Sequence, residues 1–243
     1  MFRRLASLVA AAVLVVGACS SVPAVTDPKE IMTKSVVSLQ GLKTAHLKLD
    51  VSGSVKLDIT GTGNPTALNL QGTTMQGDVN VPDKKAHIAI AVPALLNVTA
   101  DLIQIADTTY TKISLQGDKY TKSTSASSAV NTDPTKALGD LTTALNKLSS
   151  PPTKLGDEKC GSADCYHVQV KVTSADLNAI GTPTSGVSGD GTLDLYTQKS
   201  DFRPVKLTMA VNGGDQGNLV ITVELSNFDA PVSIDAPSAD QIR

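Results

Sequence analysis

Residues 45–60 read AHLKLDVSGSVKLDIT, a stretch in which apolar and polar side chains alternate with a period of two. This alternation is typical of β-strands that bury one face and expose the other. Ser52 and Gly53 interrupt the stretch and favour a turn, so it predicts an antiparallel hairpin. The apolar face of this hairpin would carry Leu47, Leu49, Val51, Val55, Leu57 and Ile59.

The same alternation recurs through most of the chain and predicts a long antiparallel sheet. Neither an internal repeat nor a break in composition divides the sequence beyond the N-terminal region, so residues 27–243 are expected to form a single domain. A sheet of this length is expected to curl. The further strands are expected near residues 67–70, 75–81, 86–92, 96–105, 108–113, 118–122, 154–159, 165–172, 191–198, 204–211 and 219–226.

Two amphipathic helices interrupt the strand pattern. Asp27, Pro28 and Glu30 combine an N-cap, a proline in the first turn and a capping box, and Gly41 ends the helix that they begin. Residues 132–134 read TDP and open a second helix. The apolar stripe of this second helix consists of Ala137, Leu138, Leu141, Ala144, Leu145 and Leu148.

These helices, with a shorter one expected over residues 174–180, need a surface against which to bury their apolar stripes. The long sheet is the only element that offers one. The sequence therefore predicts the α+β class, with a curved antiparallel sheet and helices across its concave face.

The N-terminus carries a secretion signal. Arg3 and Arg4 precede an apolar run over residues 5–16, which is shorter than the roughly 20 residues needed to span a membrane. Residues 14–20 read LVVGACS, the pattern of a lipobox. We expect residues 1–18 to be removed as a signal peptide.

Cleavage at this point would make Cys19 the first residue of the mature protein and the site of lipid attachment. Residues 19–26 would then form a short tether, which reaches about 25 Å when extended. The expected location is therefore the cell membrane, with a lipid-anchored body that faces the periplasm or cell envelope.

Composition excludes several classes of partner. The formal net charge is −2, so the chain lacks the basic surface that nucleic acids require. Aromatic residues make up 3% of the sequence and tryptophan is absent, so few aromatic rings could stack on sugars or bases. We expect no nucleic-acid partner.

The chain has three cysteines, and Cys160 and Cys165 form a close pair. In an oxidising compartment such a pair predicts a disulfide that acts as a local staple on a hairpin. Metal binding is the alternative, but the four intervening residues and the lack of a second pair make it a poor match. No metal site and no cofactor are predicted.

No catalytic motif stands out. His46, His87 and His167 all lie in strand-like surroundings and lack the spacing of a metal site, so we expect them on the sheet surface. Residues 186–189 read GVSG and resemble a nucleophile loop only superficially, since no base accompanies Ser188. The sequence predicts no catalytic residues and no enzymatic activity.

Several segments, in this order, resemble the mycobacterial LppX/LprA/LprF/LprG lipoprotein family. Besides the lipobox and the helix that starts at residues 132–134, they are residues 41–53 (GLKTAHLKLDVSG), 201–206 (DFRPVK) and 226–237 (SNFDAPVSIDAP). The resemblance implies an unclosed half-barrel with helices in its mouth, similar to the LolA and LolB carriers.

The resemblance also implies an apolar cavity between sheet and helices that takes multi-acyl lipids or glycolipids. The expected function is then binding and transfer of acylated lipid or lipoglycan within the cell envelope, with an envelope transporter as a candidate partner. The candidate lining residues are Leu47, Leu49, Val51, Val55, Leu57, Ile59, Ile88, Ile90, Val98, Leu102, Ile103, Ile105, Leu138, Leu141 and Leu145.

Alternation by itself reports burial and does not distinguish a cavity from a packed interior. The alternative is therefore a non-transporting envelope lipoprotein with a solid β-core. Such a protein would act as an interaction module and present loops such as residues 123–131 to another protein.

Overall fold

The computed structural model describes residues 25–57, 65–124, 134–179 and 189–243. The predictions for the signal peptide, Cys19, Ile59 and Ser188 lie outside these residues. The same holds for the side chains of Leu57, Leu138 and Leu141.

Thirteen strands make up one antiparallel sheet within the described residues, and three α-helices accompany it. The helices are α1 (Pro28–Gln40), α2 (Pro134–Lys147) and α3 (Ser174–Ala179). The strands are β1 (Thr44–Leu57), β2 (Thr66–Asn69), β3 (Thr73–Asn80), β4 (Lys85–Val92), β5 (Val98–Ile105), β6 (Thr108–Ile113), β7 (Thr121–Thr124), β8 (Thr153–Lys154), β9 (Glu158–Cys160), β10 (Ala163–Val172), β11 (Asp190–Gln198), β12 (Pro204–Asn212) and β13 (Gly217–Ser226).

The order of strands across the sheet is β7-β6-β5-β4-β3-β1-β13-β12-β11-β10-β8. The short strand β2 pairs with β1, and β9 pairs with β10. In the part of the chain that the structure describes, β7 and β8 stand at opposite ends of this order and do not pair with each other. The sheet is therefore unclosed, which confirms the predicted fold class.

The predicted turn at Ser52 and Gly53 is wrong, because β1 runs through both residues as one strand. On one side β1 pairs continuously with β13, while on the other it pairs with β3 as far as Val51 and with β2 from Ser54. Gly53 has a φ of +109°, and a Cβ at this position would lie 2.3 Å from the carbonyl oxygen of Asn218. The glycine therefore permits a close strand contact where a turn was expected.

Helix α1 begins and ends where the sequence predicts. The backbone N–H of Lys29 donates to the Asp27 carboxylate at 2.9 Å, and Gly41 occupies the C-cap. The Glu30 carboxylate pairs with Lys34 Nζ at 2.8 Å. This start signal fixes the position at which the chain enters the fold.

All three helices cover the same face of the sheet, which we call the inner face. Ile31 of α1 packs on Tyr166 and Val168 of β10. Leu177 of α3 packs on Val172, and α2 contacts both α1 and α3. None of the helices within the described residues is long and apolar enough to cross a membrane.

The opposite, outer face is partly covered by the C-terminal segment, residues 227–243. This segment is fastened at its start, where Asp229 N–H donates to the Thr44 carbonyl oxygen at 2.9 Å. Near its end, Ile242 forms a parallel bridge with Tyr120. The outer face of the sheet is consequently covered in the region of β5 to β7.

Candidate functional site

The apolar residues of β1 project from the inner face. In an antiparallel pair, directly opposite residues share a face. Leu49 lies opposite Val223, Val51 lies opposite Ile221, and Leu47 and Val55 share their side of β1 by alternation. The hairpin prediction was wrong about the turn, but it placed these four side chains on one common apolar face.

A cavity of about 280 Å³ lies between α2 and the inner face of the sheet. Apart from Asp140, its lining is aliphatic or methionine. From α2 the lining residues are Ala144, Leu145 and Leu148, and from the sheet they are Val172, Leu193, Leu207, Met209, Ile221 and Val223. Such walls suit hydrocarbon, because they offer burial without directional hydrogen bonds.

The predicted residues of β4 and β5 share the inner face but belong to a packed cluster. Ile88 lies opposite Leu102, and both are buried together with Ala86. Leu47 and Ile90 pack against this cluster. The inner face thus has a packed half under β3 to β5 and a second half, under β10 to β13, in which a buried cluster around Val172 borders the cavity.

Val98 also lies on the packed half, since it pairs with Val92 and continues the inner-face alternation of β5. Among the described side chains predicted to line a cavity, Leu145 is the one that lines the cavity under α2. The lining residues of β11 to β13 were missed, although their strands show the same period-two alternation. The alternation of apolar and polar residues predicted the inner face correctly, but it could not show which part of that face borders a cavity.

Ile103 and Ile105 do not face the helices. They project from the outer face, where Ile103 is buried with Tyr110, Tyr120 and Ile234, and Ile105 packs against the same group. Strand β5 is apolar on both sides because the C-terminal segment covers its second side. The structure therefore removes Ile103 and Ile105 from the set of cavity candidates.

All three histidines occupy the outer face and pair with carboxylates. His46 Nδ1 is 2.9 Å from Asp78, and His87 Nε2 is 2.8 Å from Asp101. His167 places each ring nitrogen 2.8 Å from a carboxylate oxygen, one of Glu158 and one of Asp194. Within the described ranges, no group of three His, Cys, Asp or Glu side chains could hold a metal ion.

Asp176 ties together the segments around the helices that cover the sheet. Its carboxylate accepts hydrogen bonds from the backbone N–H of Thr173 at 2.8 Å and from that of Ser149 at 3.0 Å. Both hydroxyl groups donate to it as well. The bond from the Thr173 backbone is the main cause that lowers the pKa of Asp176 to about 2. The buried carboxylate therefore links the end of α2 to the start of α3.

Cys160 and Cys165 form a disulfide with a Cα–Cα distance of 5.9 Å. It spans the hairpin of β9 and β10, whose turn contains Gly161 with a φ of +64°. The predicted local staple is confirmed, and it lies at the β10 side of the sheet, away from the cavity lining.

The model of the LppX_LprAFG lipoprotein family matches residues 27–234, nearly the whole described fold. The chain belongs to the LppX_LprAFG lipoprotein family. Comparison with curated proteins found no match.

Two solved structures share the architecture of this LppX_LprAFG member. LprF from Mycobacterium bovis is 22% identical, with a TM-score of 0.59, over 87% of this chain and 97% of that one. The lipoprotein LppX from Mycobacterium tuberculosis is 12% identical, with a TM-score of 0.57, over 86% of this chain and 98% of that one. At these identities the likeness establishes the fold.

Proposed function

We propose that this LppX_LprAFG protein binds multi-acyl lipids or glycolipids between α2 and the inner face and transfers them within the cell envelope. The observation that carries the proposal is the aliphatic cavity under α2, whose single charged lining residue is Asp140. Burial of each CH₂ group contributes about 0.8 kcal/mol. Binding of an acyl chain in this cavity is therefore favourable.

The size of the cavity constrains how cargo would enter. A volume of about 280 Å³ lies just below the usual range of ligand pockets, which is roughly 300 to 1,000 Å³. Cargo with several acyl chains would need α2 to move away from β11 to β13. Because α2 supplies one wall and the sheet the other, a small displacement of the helix enlarges the whole space.

Anchoring completes the proposal. Lipidation of Cys19 would hold the domain beside the membrane from which cargo is taken, and an acceptor or envelope transporter would receive it. The same arrangement needs no catalytic residue, because extraction and release exchange one apolar environment for another.

The packed cluster around Ile88 and Leu102 favours a second candidate, a non-transporting interaction module. In that case the whole inner face would serve stability, and the cavity under α2 would be a packing defect. The two candidates differ in whether lipid remains bound to the purified protein.

The test compares neighbouring residues of β13. Ile221 lines the cavity, whereas Val220 projects from the outer face, and both are half-buried. The lipid-anchored wild type, Ile221→Trp and Val220→Trp are purified from the envelope of an actinobacterial host. Solvent-extractable lipid is then measured by mass spectrometry, which leaves the covalent anchor out of the count.

We expect extractable lipid in the wild type, a large loss in Ile221→Trp and a normal amount in Val220→Trp. Filling an existing space should leave the melting temperature of Ile221→Trp close to that of the wild type. Wild-type protein without lipid, together with a strongly destabilised Ile221→Trp, would support the interaction module instead.

A further inference from the structure

Three leucine side chains are exposed at one end of the sheet. Leu95, Leu96 and Leu115 are 43%, 87% and 69% exposed. Leu95 and Leu96 lie in the turn that joins β4 to β5, and Leu115 lies in the 3-10 helix Ser114–Gln116 that follows β6. We call these three residues the leucine tip.

Both loops lie at the same end of the sheet because β5 connects them by its pairing. Val92, the last residue of β4, lies opposite Val98, and Ala100 of β5 lies opposite Ile113, the last residue of β6. We call this the lower end: β1, β4 and β10 finish there, and β3, β5 and β13 begin there. All three residues of the leucine tip therefore lie at the lower end of neighbouring strands.

Two neighbouring residues at the tip have a positive φ. Leu96 has a φ of +57° and Asn97 a φ of +56°, and the N–H of Asn97 donates to the carbonyl oxygen of Pro93 at 3.1 Å. A positive φ is unfavourable for leucine, and exposure of its side chain to water is unfavourable as well.

The second loop is also fixed in place. The N–H of Thr99 donates to Ser114 Oγ at 3.0 Å, which joins this loop to the start of β5. The guanidinium of Arg243 donates to the carbonyl and side-chain oxygens of Gln116 at 2.7 and 2.9 Å. The C-terminal segment thus supports the loop that presents Leu115.

We propose that the leucine tip inserts into a lipid surface, the outer leaflet of the membrane that holds the anchor. Charged groups of both signs lie around the tip: Lys112 lies 3.6 Å from Asp101, Asp118 precedes Lys119 in sequence, and Arg243 contacts Gln116. The contact would therefore be apolar and would persist at high salt, unlike attraction to anionic headgroups.

The chain that precedes the domain is long enough to place the anchor near the lower end of β10. The N–H of Val25 donates to the Tyr166 hydroxyl at 3.1 Å, and Tyr166 lies six residues before Val172 at the lower end. Six strand residues span about 20 Å, and the six residues from Cys19 to Val25 reach about 20 Å when extended. The lipid on Cys19 can thus reach the lower end of β10; this step rests on lipidation of Cys19 and not on cargo binding.

The experiment measures the depth of single labels in a bilayer. Leu96→Cys and Leu115→Cys are labelled with an environment-sensitive fluorophore in the lipid-anchored protein. Val37→Cys is the matched control, because Val37 is 58% exposed but lies on α1. Each protein is placed in phosphatidylcholine vesicles, with and without phosphatidylglycerol, that contain nitroxide-labelled lipid as quencher.

We expect labels at positions 96 and 115 to be quenched several-fold more than the label at position 37, with or without phosphatidylglycerol and at high salt. Equal quenching at all three positions, or quenching that disappears in high salt, would overturn the proposal. So would labels that are shielded from water in intact envelopes but not quenched by lipid, since these would indicate a protein partner.

A second variant separates this proposal from the proposed function. Leu96→Ser combined with Leu115→Ser changes only exposed side chains on loops away from the cavity under α2. It should retain its extractable lipid while the fluorescence of a label at Leu95→Cys loses most of its quenching. Absence of lipid in the wild type would contradict cargo binding and leave the depth measurement unaffected.

Discussion

Leu102 and Ile103 are neighbours in β5, yet they are buried on opposite faces of the sheet by different parts of the chain. Leu102 packs with Ala86 and Ile88 on the inner face. Ile103 packs with Tyr110 and Ile234, and Ile234 belongs to the C-terminal segment. The two faces of one strand thus pack against neighbouring strands on one side and against the C-terminal segment on the other.

Leu102→Ala and Ile103→Ala should therefore destabilise the protein in different ways. Each removes a buried side chain and should lower the free energy of unfolding by about 2 to 5 kcal/mol. Hydrogen exchange should show loss of protection in residues 227–243 for Ile103→Ala, because the segment loses its contact. Leu102→Ala is the control, and the same loss in both variants would contradict the two-faced packing.

Asp176 should make stability depend on pH. Hydrogen bonds from the Thr173 backbone and other donors lower its pKa from 3.8 to about 2, so the folded protein binds this proton less tightly than the unfolded chain. The resulting stabilisation, about 2 kcal/mol, is present above the ordinary pKa and is lost as the pH falls toward the folded pKa.

Asp176→Asn should consequently lower the free energy of unfolding near neutral pH and approach the wild type at low pH. Denaturant unfolding at several pH values measures this difference. Asp215→Asn, in an exposed turn, is the control and should follow the wild-type curve. A gap between Asp176→Asn and wild type that stays constant down to the folded pKa would refute the assignment.

Two glycine substitutions should have opposite effects. Gly53→Ala places a Cβ 2.3 Å from the Asn218 carbonyl oxygen at a positive φ and should destabilise the β1–β13 pairing by more than about 1 kcal/mol. Gly139→Ala adds a Cβ to α2 with nothing within 4 Å, so it should stabilise the helix by about 1 kcal/mol. Thermal unfolding measures both, and a harmless Gly53→Ala would count against the continuous β1.

The disulfide should contribute modestly. Cys160 and Cys165 are five residues apart, so the closed loop is short and the entropic contribution is about 2 kcal/mol. Cys160→Ser combined with Cys165→Ser should soften the β9–β10 hairpin in hydrogen exchange while the sheet remains folded. Peptide mapping without reductant tests the bond itself, and two alkylated thiols in protein from the envelope would disprove it.

Cys19 should be the site of lipid attachment. Cys19→Ala should abolish incorporation of an alkyne-labelled fatty acid, because the thiol that receives the lipid is absent. Cys160→Ser is the control and should incorporate the label normally. Incorporation into Cys19→Ala at the wild-type level would show that the lipid is attached elsewhere.

Local patterns in the sequence determined the class of fold. Period-two alternation predicted an antiparallel sheet, and the Asp27 and Gly41 signals predicted both ends of α1, because these preferences depend on near neighbours along the chain. The order of several weak segments also indicated the family. The alternation and the helix ends can be read from the sequence because each is specified within a few residues.

The tertiary structure alone decided what covers each apolar side chain. Ser52 and Gly53 suit a turn locally, but pairing with β2, β3 and β13 draws them into one strand. The sequence predicted Ile103 as a cavity residue, but the C-terminal segment buries it on the outer face. The alternation of apolar and polar residues predicts only that a side chain is buried. Whether another residue or a cavity then lies beside it depends on contacts between segments distant in the chain.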